Sequence, residues 1–460
     1  MMVWFLILVS SYLGFLLLRS RLSVLSRLAL DSVHLLDGLL EAGDDDEALE
    51  ELEDRTSKVL VSLLLLLALA LAVVVVCMAL PWAWGEIQEA PGAITAFGRW
   101  PGIVALSIGG TLSFVFPKWK APEGAYSPLD QLLHRIALDH PTLHCWLHDR
   151  EVRRWRKRGG EREPHFLLVT GLARAGTTSL LQRLEETGAF SSLNYANMPF
   201  VMAPGTWRRF YKPKAGELKE RSHGDGILVG ADSAEALEEP FFLAHTEGVF
   251  VKQDHLAPHG VDAELHGRYL DYQGLVRSEG TIYLAKNNNA LLRYPSLREY
   301  NGDFTVVLMF RDPLAHAASL LAMHRRYTAM QDGDPFVRTY MDWLAHHEFG
   351  GGHKPFRFGS EPATGNPETL DYWLERWTDY YRHALTVDGH RLLFVSHAMW
   401  SASPSAVLQA VLNEVGIEVE APPMEPHTRQ RDVNDTADPK RLEAARAVYN
   451  QLVERALHLD

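Results

Sequence analysis

The sequence predicts an α/β domain of three layers around a central parallel sheet, preceded by transmembrane helices. Two observations carry this reading. Apolar runs at 166–170, 281–285, 304–310 and 391–396 are each tied to segments with helical spacing, the alternation that builds a parallel sheet covered on both faces. The first 120 residues are different material: Val3 to Leu18 and Val59 to Gly85 carry no charge, and Leu and Val dominate them.

Taken in order, the chain opens on the shorter of these runs. No basic residue precedes it and no small-x-small site follows, so a membrane helix fits better than a cleaved signal. "LSVLSRLALDSVHLLDGLLEA" has an apolar stripe at helical spacing, which suits a membrane surface or a partner helix. The acidic run Asp44 to Asp54 reads as a solvated face. Trp100 to Pro117 is a third uncharged run, either a span or a surface segment. Arg19, Arg21, Arg27, Arg55 and Lys58 lie between the first two runs, Arg99 alone between the second and third, and Lys118 and Lys120 after the third. By the positive-inside rule, three spans place everything beyond Lys118 in the cytoplasm, as in a multi-pass protein of a bacterial inner membrane. "REVRRWRKRGGER" then reads as a lipid-facing or solvated linker helix.

"HFLLVTGLARAGTTSLLQRLEETG" is a buried strand, a glycine turn and an amphipathic helix closed by Gly188. Such a helix start presents unpaired N–H groups and a partial positive charge, which together make an anion site. Gly171 and Gly176 have the spacing of a nucleotide-binding loop, and Thr178 supplies its hydroxyl. Thr177, however, stands where that loop needs lysine, and the nearest cation is Arg174. The loop is therefore poorly equipped for a triphosphate.

"DFTVVLMFRDPLAHAASLLAMHRR" is a second strand-turn-helix, with Arg311 at the strand end and Ser319 in the following helix. A guanidinium fork and a hydroxyl of this kind can converge on one phosphate. Together, the two segments resemble the sulfotransferases that use 3′-phosphoadenosine 5′-phosphosulfate, and among them the bacterial branch. In that family a K/R-x-G-T-T loop holds the 5′-phosphosulfate and R-D-P…S holds the 3′-phosphate. The resemblance assigns Arg174, Ala175, Gly176, Thr177 and Thr178 to the first role and Arg311 and Ser319 to the second. It covers the chain beyond residue 120 and implies that the phosphosulfate is the co-substrate and that no metal is needed. Ser179 also belongs to the loop, at a position where cytosolic animal members carry a tryptophan that stacks on adenine.

Sulfuryl transfer needs a cation near the leaving oxygen and a base for the acceptor proton. Lys286, ending the run "TIYLAK", resembles the family's catalytic lysine; a plain strand-end lysine is the alternative. The animal enzymes' histidine position is Asn288 here, which takes no proton. "ERSHGDGILVGADSAEALEEPFF" offers His223 and Glu239 as bases of equal rank, with Asp225 and Glu238 behind, and Glu238-Glu239 on a short helix opening near Asp232-Ser233. His316 and His324 read as packing or surface residues. Residues 332–367, with His346, His347 and His353, read as a mobile loop that grips the acceptor. His397 stands where the family commonly has a tyrosine near adenine, and residues 439–459 read as a closing amphipathic helix.

Composition agrees. A net charge of −13 argues against a nucleic-acid partner, and 47% hydrophobic content suffices for a core and membrane segments together. Two cysteines, Cys77 and Cys145, build neither a disulfide framework nor a metal cluster. The expected partners are the lipid bilayer and a small-molecule or lipid acceptor with a hydroxyl or amine. A membrane-anchored nucleotide kinase or NTPase, and a non-catalytic scaffold, are the alternatives; the first lacks its lysine, and the second has no use for Lys286 or a 3′-phosphate pair.

Overall fold

The computed structural model describes all residues except 1, 42–45, 89–94, 116–127, 212–218, 221–227, 230–232, 388, 427–436 and 460. The chain forms two compact units, Met1–Ile136 and Ala137–Asp460.

The first unit is helical: α1 (Met2–Ser20), α2 (Leu22–Glu41), α3 (Asp46–Ile87) and α4 (Trp100–Val115). Two helical segments, Met2–Ser20 and Asp54–Ile87, are long and apolar enough to cross a membrane. Within the described residues, the third uncharged run forms the helix Trp100–Val115. Polarity in this unit is reversed relative to a water-soluble core. Helix α1 buries Ser10, Ser11 and Gly14, while Phe5, Leu64, Leu67 and Leu71 lie exposed. Small residues allow close approach: a Cβ on Gly14 would strike Cys77 Sγ, and one on Gly109 the Leu8 carbonyl. The Ser10 hydroxyl donates to the Cys77 carbonyl at 2.6 Å, and Arg19 Nη1 to the Ser113 carbonyl at 2.5 Å.

The second unit is an α/β domain. Its sheet contains β1 (Phe166–Thr170), β2 (Phe190–Ser191), β3 (Ile282–Lys286), β4 (Thr305–Phe310) and β5 (Leu392–Ser396). All five run parallel in the order β2-β3-β1-β4-β5. Every residue of β1 and β4 is buried, and alternate residues serve opposite faces. Phe166, Leu168, Val306 and Leu308 join one apolar cluster, with Tyr269, Trp373, Trp377 and Leu452. Leu167, Val169, Val307 and Met309 join the other, with Leu180, Leu184, Val407 and Val411. The helices so packed include α5 (Pro141–Arg156), α6 (Thr177–Glu186), α7 (Glu239–His245), α8 (Ala263–Val276), α9 (Pro313–Gly333), α10 (Pro335–Trp343), α11 (Leu370–Ala384), α12 (His397–Ala402), α13 (Pro404–Val415) and α14 (Pro439–Glu454). With apolar side chains on both faces, the strands read as continuous apolar runs rather than alternating ones. Because β3 and β4 flank β1 on opposite sides, a crevice opens at the strands' carboxyl ends, where ligands of such sheets bind.

Candidate active site

The loop after β1 is fixed by backbone geometry. Gly171 has φ +139°, and a Cβ there would strike the Met309 carbonyl; Gly176, at φ +103°, precedes the first turn of α6. Arg174 is itself left-handed, at φ 73°. Such a conformation disfavours a side chain, and an arginine held there suits a function needing its guanidinium at that point. Thr177 and Thr178 are buried at the helix start.

The loop after β4 meets it. The Asp312 side chain caps α9 by accepting from Ala315 N at 2.9 Å. One turn further, His316 is fully buried, and its Nε2 donates to the Ala173 carbonyl at 2.7 Å. Burial pushes the His316 pKa down to about 3, so the ring is neutral. Ser319, another turn on, accepts from Arg174 Nε at 3.3 Å. His397 faces the same place: its Cδ2 lies 3.0 Å from where a Gly176 Cβ would stand. Its pKa falls to about 4 through burial first, then through the charges of Arg311 and Arg174. Two guanidiniums, a serine hydroxyl and the amides of a helix start thus share one neighbourhood, which suits a ligand with more than one phosphate. Trp400 Nε1 donates to Ser179 Oγ at 3.2 Å, so the loop's last hydroxyl is held at the edge of an indole.

Across β1 stands Lys286, in register with Val169 at the end of β3. Its Nζ donates to Glu235 Oε1 at 3.1 Å, and each side chain is 10% exposed. Beside it, Asn287 Nδ2 donates to Glu238 Oε1 at 2.7 Å, and Asn288 Nδ2 to Glu348 Oε1 at 2.7 Å. Glu238 also accepts from the Tyr269 and Tyr283 hydroxyls at 2.7 and 2.8 Å. Burial raises its pKa, and those three donors oppose the rise.

The sequence-predicted bases fall out differently. His223 and Asp225 lie outside the described residues. Helix α7 begins at Glu239 itself, with Glu238 as its N-cap, rather than near Asp232-Ser233. Both glutamates are buried. The Glu239 carboxylate accepts from Arg293 Nη1 and Nη2 at 2.7 and 3.0 Å, and that guanidinium lies 3.7 Å from the Phe242 ring centroid. A bidentate pair of this kind leaves both carboxylate oxygens engaged. Part of segment 332–367 is the helix α10, whose N-cap Asp334 accepts from Phe336 N at 3.1 Å. Beyond it His346 Nε2 donates to the Ala236 carbonyl at 3.1 Å. Sequence reading missed Glu235 and Glu348, whose partners lie 51 and 60 residues away along the chain.

No protein-family model matches this sequence, and no curated protein matches it. Several solved structures are similar. A sulfotransferase from Mycobacterium avium matches with a TM-score of 0.38 and 14% identity, over 72% of this chain and 79% of that one. One from Mycobacterium tuberculosis gives 0.31 and 14%, over 75% and 90%. One from Alicyclobacillus acidocaldarius gives 0.30 and 13%, over 63% and 96%. At scores of this size, the functional reading rests on the residues of the site.

Proposed function

We propose that the chain is a sulfotransferase moving a sulfuryl group from 3′-phosphoadenosine 5′-phosphosulfate to a hydroxyl or amine acceptor at a membrane. One observation carries the reading: the bond from Arg174 to Ser319, which joins the two loops that the resemblance assigns to the two ends of one nucleotide. The residues fit such a donor. The glycine turn and helix start, with Arg174, Thr177, Thr178 and Ser179, suit a 5′-phosphosulfate, and Arg311 and Ser319 suit a 3′-phosphate. When bound, the donor supplies the sulfuryl group and a phosphate leaving group. Lys286 provides positive charge where the leaving oxygen gains negative charge. Sulfuryl carries less negative charge than phosphoryl, so the chemistry requires no divalent ion.

For the acceptor proton, His223 and Glu239 are both retained as candidates. The Arg293 pair makes Glu239 the weaker of the two, because that guanidinium already occupies both carboxylate oxygens. Membrane residence is supported by the two long apolar helices and the exposed leucines of α3. The basic residues flanking the runs favour a cytoplasmic catalytic unit. Calorimetry tests the reading. Adenosine 3′,5′-bisphosphate should bind without metal and more tightly than AMP, whereas preference for ATP with Mg²⁺ would indicate a nucleotide kinase or NTPase.

A further inference from the structure

At the carboxyl end of β3, beside Lys286, lies a recess of ≈ 10 Å³, about the space of one water molecule. Eight of the nine residues lining it are polar, Ala236 being the exception. Binding sites for flat apolar ligands are lined mainly by hydrophobic and aromatic side chains. This one is not.

Two buried side chains there lack part of their hydrogen bonding. Asn288 is 7% exposed and Asn289 3%. Asn288 donates from Nδ2 to the Glu348 carboxylate, and Asn289 from Nδ2 to the Ala345 carbonyl at 3.2 Å. Only an amide NH₂ can make those bonds, so the orientation of both amides is settled, and each Oδ1 is left to accept. Both Oδ1 atoms are buried and without a partner. A buried acceptor of this kind is costly unless a donor arrives.

Charge narrows the choice of donor. Lys286 is matched by Glu235, and Arg293 by Glu239. Among the described residues, Glu348 pairs with the Asn288 amide rather than with a cation. The recess therefore repels anions.

We infer that this recess receives the reacting group of the acceptor, and that the acceptor is a neutral or cationic aliphatic alcohol or amine, such as a polyol, amino alcohol or sugar head. A neighbouring O–H of the same acceptor, or the second N–H of an amine, donates to Asn288 Oδ1, which leaves the reacting proton to the base. Planar phenols and anionic acceptors are disfavoured. In the transfer, the acceptor O–H or N–H loses its proton to a base, the acceptor atom bonds to sulfur, and the bond from sulfur to the bridging phosphate oxygen breaks. The inference rests on the proposed sulfotransferase reading.

The test uses the full chain in detergent micelles, with adenosine 3′,5′-bisphosphate binding measured first. Failure to bind overturns the donor reading, and this inference with it. Where binding holds, donor labelled with ³⁵S is offered with glycerol, ethanolamine, methyl glucoside, p-nitrophenol and glycerol 3-phosphate. Vesicles containing a glucosyl diacylglycerol form a further arm, which separates a membrane-borne sugar head from a soluble one. Label on the neutral or cationic members, about tenfold or more above that on p-nitrophenol and glycerol 3-phosphate, is the expected result. Asn288→Leu should lower kcat/KM for the best acceptor about tenfold or more with bisphosphate affinity unchanged. Glu348→Gln keeps an acceptor for Asn288 Nδ2 and should narrow the preference for glycerol over glycerol 3-phosphate. Equal or greater label on the phenol or the phosphate ester overturns the acceptor inference alone. So does absence of label on every alcohol and amine, or an unchanged glycerol preference in Glu348→Gln.

Discussion

Arg174 Nε donates to Ser319 Oγ at 3.3 Å, across 145 positions of sequence. The bond spans the crevice between β1 and β4 and brings a left-handed arginine against a helix that starts from the neighbouring strand. If both residues hold one ligand, their contributions are coupled. In bisphosphate binding, Arg174→Ala and Ser319→Ala should be non-additive, with an interaction energy of about 0.5–3 kcal/mol in a double-mutant cycle. Additive losses would separate the two loops functionally.

Arg311→Ala should remove most of the preference for adenosine 3′,5′-bisphosphate over AMP. A charge-assisted contact is worth about 1.5–3 kcal/mol, and only the bisphosphate makes it. Titration calorimetry on both nucleotides reads the difference directly.

Lys286→Ala should abolish turnover and leave bisphosphate affinity within a few-fold, since charge needed mainly at the leaving oxygen acts on kcat. A fully active variant would return Lys286 to the role of a strand-end residue paired with Glu235.

Glu239 and His223 separate by where the damage falls. Breaking a buried ion pair by removing one partner destabilises by about 3–5 kcal/mol. Glu239→Ala should therefore lower the urea midpoint as Arg293→Met does. His223→Ala should lower kcat with the midpoint unchanged if His223 is the base. A Glu239→Ala enzyme that folds as well as wild type but does not turn over would instead assign the base to Glu239.

Acid should loosen the catalytic unit. Burial holds the His316 pKa at about 3 in the folded chain, against about 6.5 when unfolded. Between those values the unfolded chain binds the extra proton, so stability falls as pH drops from about 6.5 toward 3. His316→Gln should flatten that part of the curve of urea midpoint against pH.

Much of the sheet was legible in sequence because its strands are buried on both faces and therefore stand out as apolar runs. The run 166–170 is β1, and 281–285, 304–310 and 391–396 lie within a residue of β3, β4 and β5. The edge strand Phe190–Ser191 escaped, since two residues carry no period. The loop glycines were legible because their left-handed conformations restrict what can occupy them, and Arg174 through its place in the loop motif. The acceptor side was not. Glu235, Asn288 and Glu348 acquire meaning only through partners that the topology brings together, and a carboxylate's sequence neighbours do not reveal which cation or amide it will face. The run 100–117 stayed open between a span and a surface segment because hydropathy records composition and not what a helix packs on; over Trp100–Val115 it is a helix whose Gly109 lies close to the Leu8 carbonyl of α1.

The hydrogen bond from buried His316 to the Ala173 carbonyl has a thermodynamic corollary. With Gly171 pressed against β4 and Ala173 held from α9, the loop after β1 is fixed by contacts within the chain itself, and on the proposed function it needs no nucleotide to set its shape. Little conformational freedom is then left for a ligand to remove, so binding should proceed with a small entropic penalty and a heat-capacity change no larger than the burial of the nucleotide itself requires.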